Sequence, residues 1–495
     1  MTSDSPNPLI LVLDEGTTST RALVFDLRGS IVAAVARPLT QAYPQSGWVE
    51  HDAAEIWGLS LACLREAAAT VGIERIATIG LTNQRETVVA WDRVSGDPLA
   101  PAIVWQDRRT ADRCTKLRAQ GFEAEVQATT GLVLDPYFSA TKVAWLLDHN
   151  PAVQTAARER RLAVGTVDSW LLFKLTEGGV HAIDATNAGR TLLMDLHTGI
   201  WDTGLAARFR VPPAALPRIT DCAGPLGSTR LLGRVIPITA SIGDQHAAAI
   251  GQGCLQPGMV KATYGTGIFL LAHAGPQPPK SAHRLLSTLA WRLGGVAAYA
   301  LEGSVFTAGA AVQWLRDGIG LIDTAAESEA MARSVADSGG VVVVPAFTGM
   351  GAPHWRADVR GIITGLTAAT TRAHLVRATL AAMAHQTADL LAALAADGVT
   401  PTVLRIDGGM VANDWLCQHL ADVLDIAVER PRVIETTALG CAMLAALGAG
   451  LFATLDEAAA AMRQPGERFE PAMDTAARAA DTAAWNHAVR QALTP

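Results

Sequence analysis

The sequence predicts an α/β protein made of two similar halves, and three observations carry that reading. Short apolar runs of strand length alternate with helix-like stretches along the chain. A strand, a Gly-Thr turn and a second strand open the chain and recur near its middle. Glycine-bearing turns close several apolar strand-like runs, the places where backbone N–H groups can meet an anion.

Leu9 to Asp14 is an unbroken apolar run ended by an acid, the pattern of a buried strand. A Gly/Thr/Ser turn follows, then Arg21 to Asp26 and, after Gly29, Ile31 to Val35, so the chain is expected to begin as three antiparallel strands. Ala54 to Ala69 reads as a helix, and Ile76 to Leu81, Thr87 to Trp91 and Leu162 to Val167 as further strands with crossover helices between them. In the second half Met259 to Thr263 leads into Tyr264-Gly265-Thr266-Gly267 and Ile268 to Ala272 continues as a strand. Gly265-Thr266 thereby repeats the setting of Gly16-Thr17. The boundary falls near residue 252, between Gly251 and Pro257, dividing the chain into 1–252 and 253–495. No linker-like composition marks it, which predicts a short hinge.

A chain of 495 residues has ample length for two large domains. Its 18% charged and 49% hydrophobic residues fit a folded, Ala-rich protein and argue against disorder. With a net charge of −7 and no long basic run, nothing suggests a nucleic-acid partner, so an anionic ligand must be held by a local site. The cysteines Cys63, Cys114, Cys222, Cys254, Cys417 and Cys441 are widely spaced, without CxxC or zinc spacing, and read as reduced cytosolic thiols. The N-terminus lacks the basic-then-apolar pattern of a secretory signal. Ala438 to Leu455 carries no charge but is Ala- and Gly-rich, and reads as a buried core helix instead of a membrane span.

Asp14 to Arg21, DEGTTSTR, places an acid at a strand end, then a turn with the hydroxyls of Thr17, Thr18 and Ser19 and, after the further hydroxyl of Thr20, a guanidinium. Such a turn suits phosphate: Gly16 permits close backbone approach, N–H and O–H groups donate to phosphoryl oxygens, and Asp14 can reach a Mg²⁺ ion directly or through its waters. Taken alone it reads equally as an ordinary hairpin, since it is not a GxxxxGK[ST] loop. The second turn, Thr263 to Gly267, and a third glycine pair, Gly408-Gly409 after Asp407 and before Asn413, change the balance. A chain that clamps ATP between duplicated domains needs one phosphate-facing hairpin from each and a Gly-rich surface under the adenine.

Across nearly its whole length the chain resembles the FGGY family of carbohydrate kinases, within the actin and hexokinase superfamily, and among them the members acting on glycerol. The segments that carry the resemblance are, in order, DEGTTSTR (14–21), GWVEHD (47–52), NQRET (83–87), IVWQDRRT (103–110), GLVLDPYFSATKVAWLLDH (131–149), GTVDSWLL (165–172), GDQHAA (243–248), TYGTG (263–267), PAFTGMGAPHW (345–355) and DGGMVAND (407–414). The resemblance implies two actin-like, ribonuclease H-like ATPase domains with a nucleotide cleft between them. It implies transfer of the γ-phosphate of ATP to a primary hydroxyl of glycerol, and a homodimer or homotetramer in the cytoplasm.

Carried over residue by residue, the resemblance implies that Arg85, Glu86, Tyr137, Asp244 and Gln245 line a polyol site walled by Trp105 and Phe269, with Asp244 as catalytic base. Thr17, Thr18, Ser19 and Arg21 would hold phosphates from one half, and Thr266, Gly309, Gln313, Gly409 and Asn413 would contribute from the other. Mg²⁺ would lie near Asp14 and Asp244. The residue types agree with that assignment, because a three-carbon triol needs donors and acceptors on one side and apolar surface on the other, and Arg85 beside Glu86 supplies both polar kinds. Seen in isolation, Arg85-Glu86 would be an exposed ion pair, Trp105 and Phe269 core residues, and Asp244 a turn residue.

Departures from the family pattern are Glu15 for a common Gln, His246 and His354 for Gln and Tyr, and Ala381 for a polar residue. Strand alternation should turn Glu15 away from the face of Asp14. Gly227 to Ile236 lacks the Gly-rich basic loop with which some bacterial relatives sense fructose 1,6-bisphosphate, and holds no phosphorylatable His, so inhibition by sugar phosphate is not expected. Two rivals stay open. One is another family kinase acting on erythritol, dihydroxyacetone or xylulose, against which NQRE argues, since ketopentose members carry a Gln-Met-His-Gly type segment there. The other is a non-catalytic nucleotide switch on the same fold, disfavoured by the intact Asp244 and polyol set.

Overall fold

The structure, a computed structural model, describes residues 8–356 and 358–494. The first half is built on a six-stranded sheet. Its strands are β1 (Leu9–Glu15), β2 (Ser19–Phe25), β3 (Ile31–Pro38), β4 (Ile76–Asn83), β5 (Ala223–Thr229) and β6 (Ile236–Gly243), in the spatial order β5-β6-β4-β1-β2-β3. β1, β2 and β3 pair antiparallel, as their spacing predicts, whereas β4 lies parallel to both β1 and β6. Every residue of β1 is buried because it is central and covered on both faces, and this is why its sequence is an unbroken apolar run. At the edge, β3 alternates exposed and half-buried positions.

The second half repeats the plan. Its sheet contains β7 (Val260–Tyr264), β8 (Ile268–Gly275), β9 (Leu286–Leu293), β10 (Val296–Val305), β11 (Val403–Asp407), β12 (Ala427–Arg430) and β13 (Glu467–Phe469), ordered β9-β10-β8-β7-β11-β12-β13. The antiparallel series β7, β8, β10 matches β1, β2, β3, and β11 runs parallel to β7 as β4 does to β1. The two-residue echo between the Gly-Thr turns thus marks equivalent hairpins. Val88–Asp92 and Leu162–Thr166, which the apolar pattern also makes strands, leave the main sheet and pair antiparallel in a separate four-stranded sheet.

Helix α1 (Ala53–Val71) begins where Asp52 accepts a hydrogen bond from Ala54 N–H at 2.8 Å. This cap is worth about 1 kcal/mol. The helix buries Ile56, Cys63, Leu64 and Ala67 under the first sheet, positions repeating at helical spacing.

Helix α2 (Asp244–Gly251) leaves the end of β6 and crosses a second-half helix. Beyond it come α3 (Arg372–Ala396), α4 (Asp414–Leu424), α5 (Thr436–Gly448) and α6 (Thr475–Leu493). The uncharged stretch that begins at Ala438 supplies most of the buried α5. Its Leu439, Cys441 and Met443 share a core with Ile10, Val12, Ala240 and Ile242 of the first sheet. α2 and α5 touch through glycines: a β-carbon on Gly440 would lie 1.9 Å from the Ala247 carbonyl oxygen, and one on Gly251 would lie 2.0 Å from that of Thr436. Among the described residues no helix is long and apolar enough to cross a membrane, and all six cysteines are buried and unpaired.

Candidate active site

β4 ends at Asn83, and the next four residues turn sharply into the cleft. Thr87 N–H donates to the Arg85 carbonyl at 2.7 Å, closing a tight turn whose central residue, Glu86, has φ 60°. A non-glycine residue there costs about 1–3 kcal/mol and persists only when its surroundings over-determine it. They do so here: Ser139 Oγ and Lys142 Nζ both donate to the Glu86 carbonyl, at 3.1 and 3.3 Å, and Arg190 Nε donates to its carboxylate at 2.6 Å.

Arg85 and Glu86 are not each other's main partners, contrary to the simplest reading of adjacent opposite charges. Arg85 Nε stands 3.9 Å from Glu86, whereas its Nη1 and Nη2 fork onto Glu302 of β10 at 2.7 and 3.0 Å. Arg190 Nη2 also donates to Glu302, at 3.1 Å. Four buried charges, two arginines and two glutamates, therefore alternate across the junction of the halves. Burial alone would favour a protonated Glu302, but Arg190 and Arg85 outweigh it and hold its carboxyl down to about 2. Sequence reasoning missed Arg190 and Glu302. The readable signal for Glu302 was a lone acid inside an otherwise apolar strand, a position that burial forbids without a partner.

Parallel pairing of β4 with β6 sets Asn83 opposite Gly243 and so brings Asp244, the first residue of α2, beside Arg85. Arg85 Nε lies 3.4 Å from Asp244 Oδ1, which also accepts from Gln245 N–H at 2.6 Å. Burial in the cleft raises the Asp244 carboxyl to about 6; Arg85 works against the shift and Glu86 with it. Its side chain remains 31% exposed, so the carboxylate is open to a substrate. Trp105 stands edge-on to Tyr137 and to Phe269, with ring centroids 5.7 and 6.2 Å apart, so aromatic surface from both halves walls the same space. His246, one residue beyond Gln245, is buried, and burial together with Arg85 keeps it neutral.

The two Gly-Thr turns are closed alike, Gly16 N–H donating to Ser19 O at 3.0 Å and Gly265 N–H to Gly267 O at 2.9 Å. Trp105 Nε1 donates to Thr17 Oγ1 at 2.9 Å, which joins the aromatic wall directly to the first turn. Thr18 and Thr266 are exposed at the turn tips and Ser19 is half-buried. Asp14 is buried, which raises its carboxyl against the opposing pull of Arg21. Arg21 bridges Asp14 and, at 2.6 Å, Glu435 at the start of α5. Glu15 points the other way, as alternation predicts, and accepts from Thr20 and Ser60.

Asp407 at the end of β11 gathers hydroxyl and amide donors from Thr263, Thr436 and Gln252. Buried Lys261 donates to Gln245 Oε1 at 2.6 Å. Neither Asp407 nor Lys261 was among the expected site residues, although Asp407 opens the third glycine motif. Gly408 has φ 98°, and a β-carbon there would lie 2.5 Å from Tyr264 O; Gly409 is open. A cavity of about 810 Å³ lies here, lined by Arg21 and Gln245 from one half and by Thr263, Asp407, Gly408, Gly409 and Thr436 from the other. Gly309 donates its N–H to Gly265 O at 2.9 Å and starts the short helix on which Gln313 is exposed. Asn413 caps α4, its side-chain oxygen accepting from Leu416 N–H at 2.9 Å, and it is not among the residues lining the cavity.

Two halves of one topology, with a polar cleft between them and a phosphate-type turn from each, define a class of phosphoryl-transfer protein. Residues 9–251 match the FGGY family of carbohydrate kinases, N-terminal domain, and residues 260–449 match its C-terminal domain; the chain belongs to this family. It is 56% identical to a glycerol kinase of Rhodospirillum rubrum over 98% of this chain and 99% of that one. It is 52% identical to glycerol kinase 1 of Pseudomonas aeruginosa, over 97% and 98%. Among solved structures, Plasmodium falciparum glycerol kinase with ADP superposes with a TM-score of 0.94 at 36% identity, covering 99% of both chains. A xylulose kinase from Rhodospirillum rubrum gives 0.86 at 27% identity and 98% coverage of each.

Proposed function

We infer that this protein is an ATP-dependent glycerol kinase, transferring the γ-phosphoryl group of ATP to a primary hydroxyl of glycerol to give sn-glycerol 3-phosphate and ADP in glycerol catabolism. The observation that carries the reading is the convergence of Arg85, Glu86 and Asp244 with the Trp105, Tyr137 and Phe269 walls, one hydrogen bond away from the first phosphate-type turn. A triol presents its hydroxyls to the charged side and its carbon edge to the rings. The nucleotide lies in the cavity over Gly408-Gly409, with its phosphates directed to the turns at Thr17, Thr18, Ser19 and Thr266.

In the reaction Asp244 accepts the hydroxyl proton as the new O–P bond forms and the bond to the β,γ-bridging oxygen breaks, leaving ADP. Arg85 orients the polyol and holds Asp244 in place. Asp14 and Asp244 are the residues that would hold Mg²⁺: both offer the carboxylate oxygens that ion takes, and the Asp244 side chain is 31% exposed in the cleft. When bound, the ion supplies charge neutralisation at the phosphates. The N-terminal domain spans 1–252 with the polyol site, and the C-terminal domain 253–495 with the adenosine site. Reduced, buried thiols favour a cytoplasmic setting, and the family suggests a homodimer or homotetramer.

ADP release with glycerol, dihydroxyacetone, erythritol and xylulose tests the assignment. Glycerol should give by far the highest kcat/KM, since longer polyols clash and shorter diols leave site groups unpaired. A higher value for erythritol or xylulose overturns it.

A further inference from the structure

Three helices of the second half meet at a cluster that the kinase reaction does not use. His385 comes from α3, His419 from α4 and Asp481 from α6, and one donor atom of each lies within 4.8 Å of the other two. His385 Nε2 and Asp481 Oδ2 are 3.2 Å apart. His419 is 8% exposed, and its Nε2 is buried without a hydrogen-bond partner. A buried, unpartnered ring nitrogen costs about 1–3 kcal/mol unless something satisfies it.

The rings are held in place. Trp485 stacks on His385 at 5.3 Å with 11° between planes, and Trp415 stacks on His419 at 4.7 Å with 18°. Arg377 lies over the far ring, Trp415, and spends its guanidinium on the carbonyls of Ala332 and Val335. The carboxylates facing His419 are Asp481 and Asp422, and its unpartnered Nε2 is the atom left to coordinate an ion.

We propose that His385, His419 and Asp481 form a binding site for a divalent transition-metal ion of the Zn²⁺ and Co²⁺ type, which clamps the C-terminal helix α6 onto α3 and α4. Two imidazoles and a carboxylate are the ligand set such ions select, while Mg²⁺ prefers oxygen donors. Bond lengths of ~2.0–2.1 Å put tetrahedral ligands ~3.4 Å apart, so the His385–Asp481 pair is already at ligand spacing and closing the third side takes a shift of about an ångström. Asp481, with 35% of its side chain exposed, gives the ion an entry and leaves the fourth position to water.

The test uses tag-free, full-length protein stripped with chelator and kept free of nucleotide. Co²⁺ titration, followed by its visible d–d absorption, should saturate at one equivalent, Zn²⁺ should displace it, and millimolar Mg²⁺ should not. Zn²⁺ should also raise Tm progressively with its concentration. His419→Gln and Asp481→Asn, checked for folding by circular dichroism, should lose both responses while keeping kinase activity with glycerol. Failure to bind one equivalent, or binding that persists in both variants as at an adventitious surface site, overturns the proposal.

Discussion

Arg85 and Glu302, 217 residues apart in sequence, are joined by a two-pronged ion pair of 2.7 and 3.0 Å, and both side chains are 2% exposed or less. The fork ties the Arg85-Glu86 turn of the first half to β10 of the second. Removing one member of a buried charge network leaves the others uncompensated, at a cost of about 3–5 kcal/mol. Glu302→Gln should therefore lower Tm and raise the KM for glycerol at least about tenfold, equivalent to 1.4 kcal/mol, through a misplaced Arg85. Steady-state kinetics and a melting curve with both values unchanged would show that the fork does not position Arg85.

Asp244→Asn keeps the size of the side chain but cannot take a proton. Loss of a general base costs about 10²–10⁴-fold, so kcat should fall by that order while ATP affinity, measured by nucleotide titration, changes little. Arg85→Ala should act mainly on KM for glycerol. Retention of more than a tenth of kcat by Asp244→Asn would remove it as the base. Glu86 is a poor substitute, since Arg190 already holds its carboxylate.

The pH profile follows from the same group. Burial raises the Asp244 carboxyl to about 6, so it is protonated and inactive below that pH and ionised above it. In the free enzyme kcat/KM should fall about tenfold per pH unit below an acid limb near 6. A profile flat down to pH 5 in protein that remains folded would contradict the assignment.

Fructose 1,6-bisphosphate at millimolar concentration should alter neither rate nor oligomeric state. In the hairpin between β5 and β6, Arg234 spends its guanidinium on the carbonyl oxygens of Glu74, at 2.9 Å, and Ile73. Inhibition that disappears on changing Arg230 or Arg234 would reverse this reading.

Gly440→Ala should destabilise the protein by about 1–3 kcal/mol, the usual cost of overpacking, by pushing α5 away from α2. Denaturation of Gly440→Ala beside Gly450→Ala separates close packing from backbone effects, because Gly450 has open space around its missing β-carbon. Gly450 has φ 72°, so its substitution reports strain alone.

Patterns that act over a few residues were legible. The buried run of β1, the Gly-Thr hairpins and the turning of Glu15 away from the face of Asp14 follow from burial, turn chemistry and alternation, all set by immediate neighbours in the chain. The resemblance supplied the candidate polyol residues, of which Arg85 lies beside Asp244 and Trp105 beside Tyr137 and Phe269.

By itself the sequence determined the two-half α/β plan, the turns and the order of the motifs. Only the tertiary structure decided that Arg85 pairs with Glu302 and Glu86 with Arg190, and that α5 packs on the first sheet although it lies in the second half of the chain. The reason is physical: a charge is satisfied by whatever lies within a few ångströms of it once water is excluded. That neighbour is chosen by sheet order and helix crossing, which depend on contacts spanning hundreds of residues.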